Sequence, residues 1–512
     1  MSVILDGQTL TIADVERVAV RRAGVSLDAS VPMRLERSRA VIEAALRSGE
    51  TIYGVNTGFG QLKNRVIPPA DIARLQENLI LSHAAGVGPA LPEPVCRAML
   101  LLRTQALLAG HSGVRPELVG LMLQMLNHGV TPVIPSQGSV GASGDLIPLA
   151  HLAWTVIGGG EAWYEGERMH SQAALDKAGL APIQLAAREG LALINGTQAM
   201  TAIGSLAVAR AERLADICDL AAAMSLEALL GSVQPYRADV HRLRPHAGQQ
   251  IVAANVRALT RHSELIPSHA ACGQLQDAYS LRCVPQVHGA GRDALTQIKA
   301  VLSIEINSVT DNPLVFPETN EVISAGQFHG HPVAIWMDFL KIALSGWANI
   351  SERRTERLVN PHLSNGLPAF LIREGGLNSG LMLAQYAAAS LVSENKVLAH
   401  PASVDSIPTS ASQEDYVSMG TTAARHAMTI LEHAETVLAI EVLCATQALD
   451  LQQPLRPGTG VGKAHACVRD VVPHLDRDRP LTGDIESVRQ LIVGGELHHV
   501  IQPYLHGHER HS

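Results

Sequence analysis

The sequence predicts a mainly α-helical protein: a bundle of long helices with a small mixed region at the N-terminus. Three observations carry this. Hydrophobic residues make up 46% of the chain but aromatic ones only 3%, so Ala, Leu, Val and Ile must fill the interior, which suits close-packed helices. Apolar residues recur at every third or fourth position over long stretches. Gly and Pro breaks separate those stretches, with no internal repeat and no low-complexity linker.

At 512 residues the chain exceeds the size at which a single core keeps growing, so two or three packed regions are expected, burying about 75% of the unfolded surface. The breaks suggest segments 1–110, 111–370 and 371–512. In chain order, VILDGQTLTI reads as a small hairpin about Asp6-Gly7, and Thr11 to Asp14 lead into a helix. Ser38 to Arg47 continues with helix formers and ends near Gly49. YGVNTGFG, residues 53–60, is a glycine-rich loop suited to a mobile segment or a tight backbone path. Helical patterns then cover 71–84, 94–109, 115–128, 145–157, Gln198 to about Leu230, Asp293–Ile306, His331–Val359, 376–398, 414–449 and 484–494. In His331–Val359 the residues Ile335, Phe339, Ile342, Gly346 and Ile350 share one stripe, and stripes of this kind imply a bundle.

The net charge of −8 is spread without a basic block or an acidic tail, which argues against a nucleic-acid surface or an anionic-membrane patch. The most apolar stretch, DICDLAAAMSLEALLGSV, carries Asp216, Asp219 and Glu227, too many charges for a bilayer span. The N-terminus lacks a basic region followed by an apolar one. A cytoplasmic protein acting on a small molecule is expected, with no nucleic acid and no membrane as partner. Six cysteines are scattered with no C-x-x-C pair; they read as reduced core residues, not a disulfide framework or a zinc knuckle.

The unusual clusters lie in the breaks, where sites tend to sit on a rigid scaffold. In GSVGASGDLIPLAH, residues 138–151, Ser143 resembles a hydrolase nucleophile ahead of a helix, but the G-x-S-x-G elbow fails because Asp145 stands where glycine is needed. Another chemistry fits Ala142-Ser143-Gly144. Attack of the Gly144 amide nitrogen on the Ala142 carbonyl carbon closes a five-membered ring if no Cβ obstructs it. Loss of one water from the ring-closed Ala142 carbon and of a second from Ser143 then leaves a 4-methylidene-imidazol-5-one, an electrophile no ordinary side chain provides. The plain alternative is a turn with Asp145 as helix N-cap.

Other clusters also have two readings. In QDAYSLRCVPQVHG, the residues Gln276, Tyr279 and Arg282 are spaced by three and would line one helical face. That face is either a solvated edge or a set comprising a guanidinium fork for a carboxylate, a supporting amide and a phenol able to take a proton. Tyr53 opens the glycine loop, which lacks the lysine of a phosphate loop. Asn195 of ALINGTQAM precedes a long helix and reads as an N-cap. His83 of LSHAAG reads as a core histidine, and Glu414 of SASQEDYVSMG as a charge favoured by a helix N-terminus. His329, His331 and the tail HGHERHS lack carboxylates or thiols at ligand spacing, so no catalytic metal is expected.

Taken together, GSVGASGDLIPLAH and six further stretches, YGVNTGFG, LSHAAG, ALINGTQAM, QDAYSLRCVPQVHG, SVTDNP and SVDSIPTSASQEDYVSMG, resemble the aromatic amino acid ammonia-lyases over almost the whole chain. That family includes histidine, phenylalanine and tyrosine lyases and related aminomutases. The resemblance implies a helical core of the fumarase and aspartase type and a homotetramer whose sites combine residues of several subunits. It implies that the electrophile forms from Ala142-Ser143-Gly144, with no external cofactor, and captures the substrate amine. Tyr279 is then the base, Arg282 the carboxylate anchor, Asn195 and Gln276 orienting groups, Tyr53 part of a lid that also takes part in proton handling, and Phe328 a pocket wall.

Ser82-His83 matches the histidine lyases, where tyrosine lyases resemble His-Leu and phenylalanine lyases Phe-Leu. Glu414 would pair with an imidazole and be left unmatched against a phenyl ring, at a cost of several kcal/mol. L-histidine leaving as trans-urocanate is the implied reaction. Tyr416, Gln327, Val284 and His288 depart from frequent choices in histidine lyases. A tyrosine or phenylalanine lyase or aminomutase, a Ser143 hydrolase and an inactive helical scaffold remain the alternatives.

Overall fold

The structure is a computed structural model that describes residues 2–269 and 275–505. Twenty α-helices and nine short strands form among them, so the chain is mainly helical as expected. It divides into two compact units, each discontinuous in sequence. The first comprises Met1–Ala209, Lys299–Asp338 and Pro401–Arg425; the second comprises Arg210–Ile298, Phe339–His400 and His426–Ser512. No helix among the described residues is long and apolar enough to cross a membrane.

The first unit opens differently from the expected hairpin. Strand Val3–Leu5 pairs in parallel with Val25–Leu27, and a parallel pair requires a crossover. Asp6 supplies the reason: its carboxylate accepts the amides of Gln8 and Thr9 at 2.8 and 2.9 Å, and this Asx turn sends the chain onward. The crossover helix Ile12–Ala19 starts at Thr11 with a capping box to Asp14. Helix Glu93–Leu108 is buried from Val95 to Leu108, so its charged side chains need partners. Arg97, for example, donates to the carbonyls of Val18 and Leu126 at 2.8 and 2.6 Å.

Helices Ile72–His83, Pro116–His128, Leu146–Val156, Gln198–Ala228 and His331–Val359 lie close to the expected spans. Four starts differ: helix Val31–Ser48 begins before Ser38, helix Met382–Leu398 begins after residue 376, and two others have a local cause. Helix Val284–Glu305 starts well before Asp293, because Pro285 falls in its first turn, where proline is tolerated. Gly289 also suits that early start: a Cβ there would stand 2.4 Å from the Gln249 amide nitrogen, so it permits close backbone approach. Helix Gly420–Leu451 begins after residue 414, since a tight turn occupies residues 409–414.

In the second unit the long helices meet at buried charge. Arg354 forks onto Glu441 with Nε–Oε1 of 2.5 Å and Nη2–Oε2 of 2.8 Å, and Ser225 donates to Glu441 Oε1 at 2.6 Å. The stripe read from His331–Val359 is exposed over its middle and buried at Ile350: Phe339 is 48% and Ile342 53% exposed, while Leu340, Leu344 and Trp347 on the other side are buried. Both sides of this helix are apolar, and periodicity alone does not choose between them. Cys96, Cys218 and Cys444 are buried free thiols; Cys283 and Cys467 are only partly buried, which corrects the core reading for those two. Cys272 lies outside the described residues.

Glu227, near the end of helix Gln198–Ala228, is buried and accepts the Gly458 amide at 2.9 and 3.1 Å. Burial pushes its carboxyl up to about 7, against opposing hydrogen bonds from Ser263 and Gly458. The folded state therefore holds a proton that the unfolded chain releases above about pH 4.5. Its contribution to stability is full below that pH and is lost as pH rises through 7. Glu227→Gln is expected to stabilise the protein at pH 8, by on the order of 3 kcal/mol, and to have little effect at pH 4.5. Denaturation midpoints at the two pH values check this.

Candidate active site

The loop ahead of helix Leu146–Val156 is anchored through Asp145. This residue stands at the N-cap of that helix but does not cap it. Its buried carboxylate instead accepts the amides of Ala199 and Met200, each at 2.9 Å, at the start of helix Gln198–Ala228, where the helix dipole favours an anion. Ser139 Oγ at 2.9 Å and the Thr421 hydroxyl complete the set. Burial raises the Asp145 pKa, and the four hydrogen bonds oppose that rise.

This anchoring fixes the three small residues. Gly144 has φ +70°, and a Cβ there would lie 2.2 Å from the Gly196 carbonyl oxygen, so only glycine fits. Ala142 is buried against Val417 and Met419. The Ser143 carbonyl accepts from Asn195 Nδ2 at 2.9 Å, and Ser143 Oγ donates to Glu414 Oε1 at 3.1 Å. Asn195 follows helix Glu189–Ile194 as its C-cap, so the N-cap reading is replaced by a side-chain bond to the Ser143 backbone.

Ser143 and Glu414 line a cavity of about 560 Å³ together with Tyr53, Lys63, Asn312 and Phe328. Burial raises the Tyr53 pKa; the Gly60 amide lowers it, the Glu414 charge adds to the rise and Arg188 opposes it. The phenol, neutral at physiological pH in any case, is made harder still to ionise. Its hydroxyl accepts the Gly60 amide at 3.5 Å, within the glycine loop. Lys63 Nζ donates to Gln413 Oε1 at 2.6 Å, which ties the loop to the turn that carries Glu414. His83 ends helix Ile72–His83, half-buried, with Nδ1 3.0 Å from Ser82 Oγ. Burial lowers its pKa and the Glu414 charge opposes this. His83 is not among the residues lining the cavity.

Gln276, Tyr279 and Arg282 belong to the second unit. The expected continuous helical face is absent: the helix here is only Tyr279–Arg282, and Gln276 precedes it. The Arg282 guanidinium lies 4.7 Å from the centre of the Tyr279 ring, a cation–π contact. Tyr279 is 71% exposed. Arg282 Nε is buried without a hydrogen-bond partner among the described residues. Arg282 and Gln276 line a cavity of about 760 Å³ with Asp277, Cys283 and Gln286. The Ser232 amide donates to Asp277 at 2.8 Å and the Tyr236 hydroxyl to the Leu281 carbonyl, pinning this segment.

Sequence reasoning missed Asp145 as the anchor of the loop, although its place directly after Ala142-Ser143-Gly144 was a signal. It also missed Thr409, whose Oγ1 donates to Glu414 Oε2 at 2.7 Å. His329 stacks on Tyr416 at 6.0 Å, with His331 edge-on to the same ring at 5.8 Å. Among the described residues no three His, Cys, Asp or Glu side chains gather as metal ligands; the tail HGHERHS lies outside them.

Residues 10–470 match the aromatic amino acid lyase family, and the chain belongs to it. Within that family, the histidine ammonia-lyase of Gloeobacter violaceus is 58% identical over 96% of each chain. The crystal structure of histidine ammonia-lyase from Trypanosoma cruzi superposes with a TM-score of 0.92 at 45% identity, covering 100% of this chain and 97% of that one. The tyrosine aminomutase of Streptomyces globisporus gives a TM-score of 0.93 at 40% identity, covering 99% of each chain.

Proposed function

We propose that this chain converts L-histidine to trans-urocanate and ammonia. The observation that carries the reading is the Glu414 carboxylate, held 3.1 Å from Ser143 Oγ in one cavity with Tyr53 and Phe328. An anionic acceptor beside the reacting residue suits the N–H of an imidazole and would be left unmatched by a phenyl ring. The relative at 58% identity, a histidine ammonia-lyase, supports it.

The residues fit a 4-methylidene-imidazol-5-one formed from Ala142-Ser143-Gly144. Position 144 admits no side chain, and the Ser143 carbonyl already has a donor in Asn195. When formed, the group supplies an electrophile for the substrate amine. The side chains do the rest. Arg282 holds the substrate carboxylate through its planar fork, assisted by Gln276. Tyr279 takes the β-proton. Glu414 accepts the imidazole N–H, with His83 on the same ring and Phe328 as wall. Tyr53, a phenol whose pKa burial raises further, closes the site with the glycine loop and excludes water, which strengthens each charge interaction inside.

The proposal includes a homotetramer whose sites draw residues from several subunits. Phe339, Ile342, Leu383 and Tyr386 are exposed on helices of the second unit, apolar side chains that a neighbouring subunit would cover. Incubation with L-histidine, L-tyrosine and L-phenylalanine in parallel tests the substrate. Urocanate absorbance from L-histidine alone is the expected result. The alternative reading rests on the likeness to the tyrosine aminomutase; a cinnamate-type or β-amino acid product would establish it instead.

A further inference from the structure

We infer that Thr409 is a positioning residue for substrate recognition: its hydroxyl fixes the Glu414 carboxylate so that one oxygen is committed to the protein and the other faces the reacting residue. The inference rests on the reading of Glu414 as the imidazole acceptor.

The geometry is a closed turn. The Thr409 amide donates to the Glu414 carbonyl at 2.9 Å and the Glu414 amide to the Thr409 carbonyl at 3.3 Å. Between these two residues the chain passes through three consecutive left-handed positions, Ser410, Ala411 and Ser412, with φ of +51°, +51° and +63°. None of them is glycine, and each such conformation costs about 1 kcal/mol or more. Unfavourable backbone of this kind persists only where its surroundings over-determine it. Here they do so at both ends and at the flank, through the paired backbone bonds and through Lys63 Nζ on Gln413 at 2.6 Å.

The turn sets where Glu414 begins; Thr409 sets where it points. Oε2 accepts Thr409 Oγ1 at 2.7 Å, and Oε1 accepts Ser143 Oγ at 3.1 Å. A carboxylate on a flexible stem would lose rotamer freedom on binding substrate. Thr409 removes that freedom in advance and turns a single acceptor oxygen towards the cavity, which is what one imidazole N–H requires. Preorganisation of this kind strengthens binding without a new contact to the substrate.

The test is a double-mutant cycle on the full-length enzyme, reading KM for L-histidine and Kd for urocanate. Thr409→Val is expected to raise both about tenfold, the scale of a lost hydrogen bond to a charged group, while kcat moves less. Thr409→Ser, which keeps the hydroxyl, should restore both. In a Glu414→Ala background the Thr409→Val change should add nothing further to the urocanate Kd, whereas a purely structural defect would persist there. Unchanged KM and Kd in Thr409→Val, or an undiminished loss in the Glu414→Ala background, would overturn the inference. Should the valine variant not fold, Thr409→Ala against Thr409→Ser makes the same comparison. Failure of the parent enzyme to turn over L-histidine would remove the functional reading itself, a separate outcome from an insensitive Thr409.

Discussion

Ser143→Ala is expected to abolish turnover of L-histidine, by on the order of 10³-fold or more, while leaving the fold intact. The substitution removes the one hydroxyl whose loss as water completes the electrophile, and no other side chain in the cavity can replace it. Structurally it is mild. In the unprocessed chain Ser143 Oγ has a single hydrogen bond, to Glu414, worth about 1 kcal/mol, and the processed parent has itself lost that hydroxyl. The loop is held by Asp145, Gly144 and Asn195, none of which changes. Intact mass gives a readout independent of activity: the parent chain should be lighter than its sequence by two waters, and the alanine variant should not show that full deficit. Normal activity in the variant, or a parent chain of unreduced mass, would reject the electrophile.

What the sequence disclosed follows from how local each feature is. Ala142-Ser143-Gly144 was legible because the ring it forms joins neighbouring residues, and the need for glycine at 144 is a need of the backbone there. Helix Gln198–Ala228 was legible because apolar period and length are also local. Asp145 and Asn195 each invited an N-cap reading because each stands before a helix in sequence. In the structure the Asp145 carboxylate reaches a different helix, and Asn195 reaches Ser143; both partners are distant in sequence and beyond any local pattern. Which side of His331–Val359 its own chain covers was not legible for a related reason, since a helix apolar on two sides does not reveal it. Thr409 gave no signal, because a threonine five residues before a glutamate is ordinary until a left-handed turn folds one onto the other.

Equal co-expression of Ser143→Ala and Tyr279→Phe chains is expected to recover about one quarter of the parent activity, although each variant alone is nearly inactive. Tyr279→Phe by itself should cost about 10²- to 10⁴-fold, the usual worth of a positioned proton acceptor. Ser143 lines one cavity with Tyr53, Phe328 and Glu414; Gln276 and Arg282 line another, beside an exposed Tyr279. Arg282 Nε has no protein partner among the described residues, as suits a donor reserved for a substrate carboxylate. If Ser143 and Tyr279 of one site come from different subunits, random assembly joins an intact serine with an intact tyrosine in half of one half of the sites. If one chain supplied both, every site would carry one defect and mixing would restore nothing. Urocanate formation by the co-assembled chains, set against the two variants purified separately and combined without subunit exchange, distinguishes these cases. An inactive mixed tetramer would show that each chain builds its site alone.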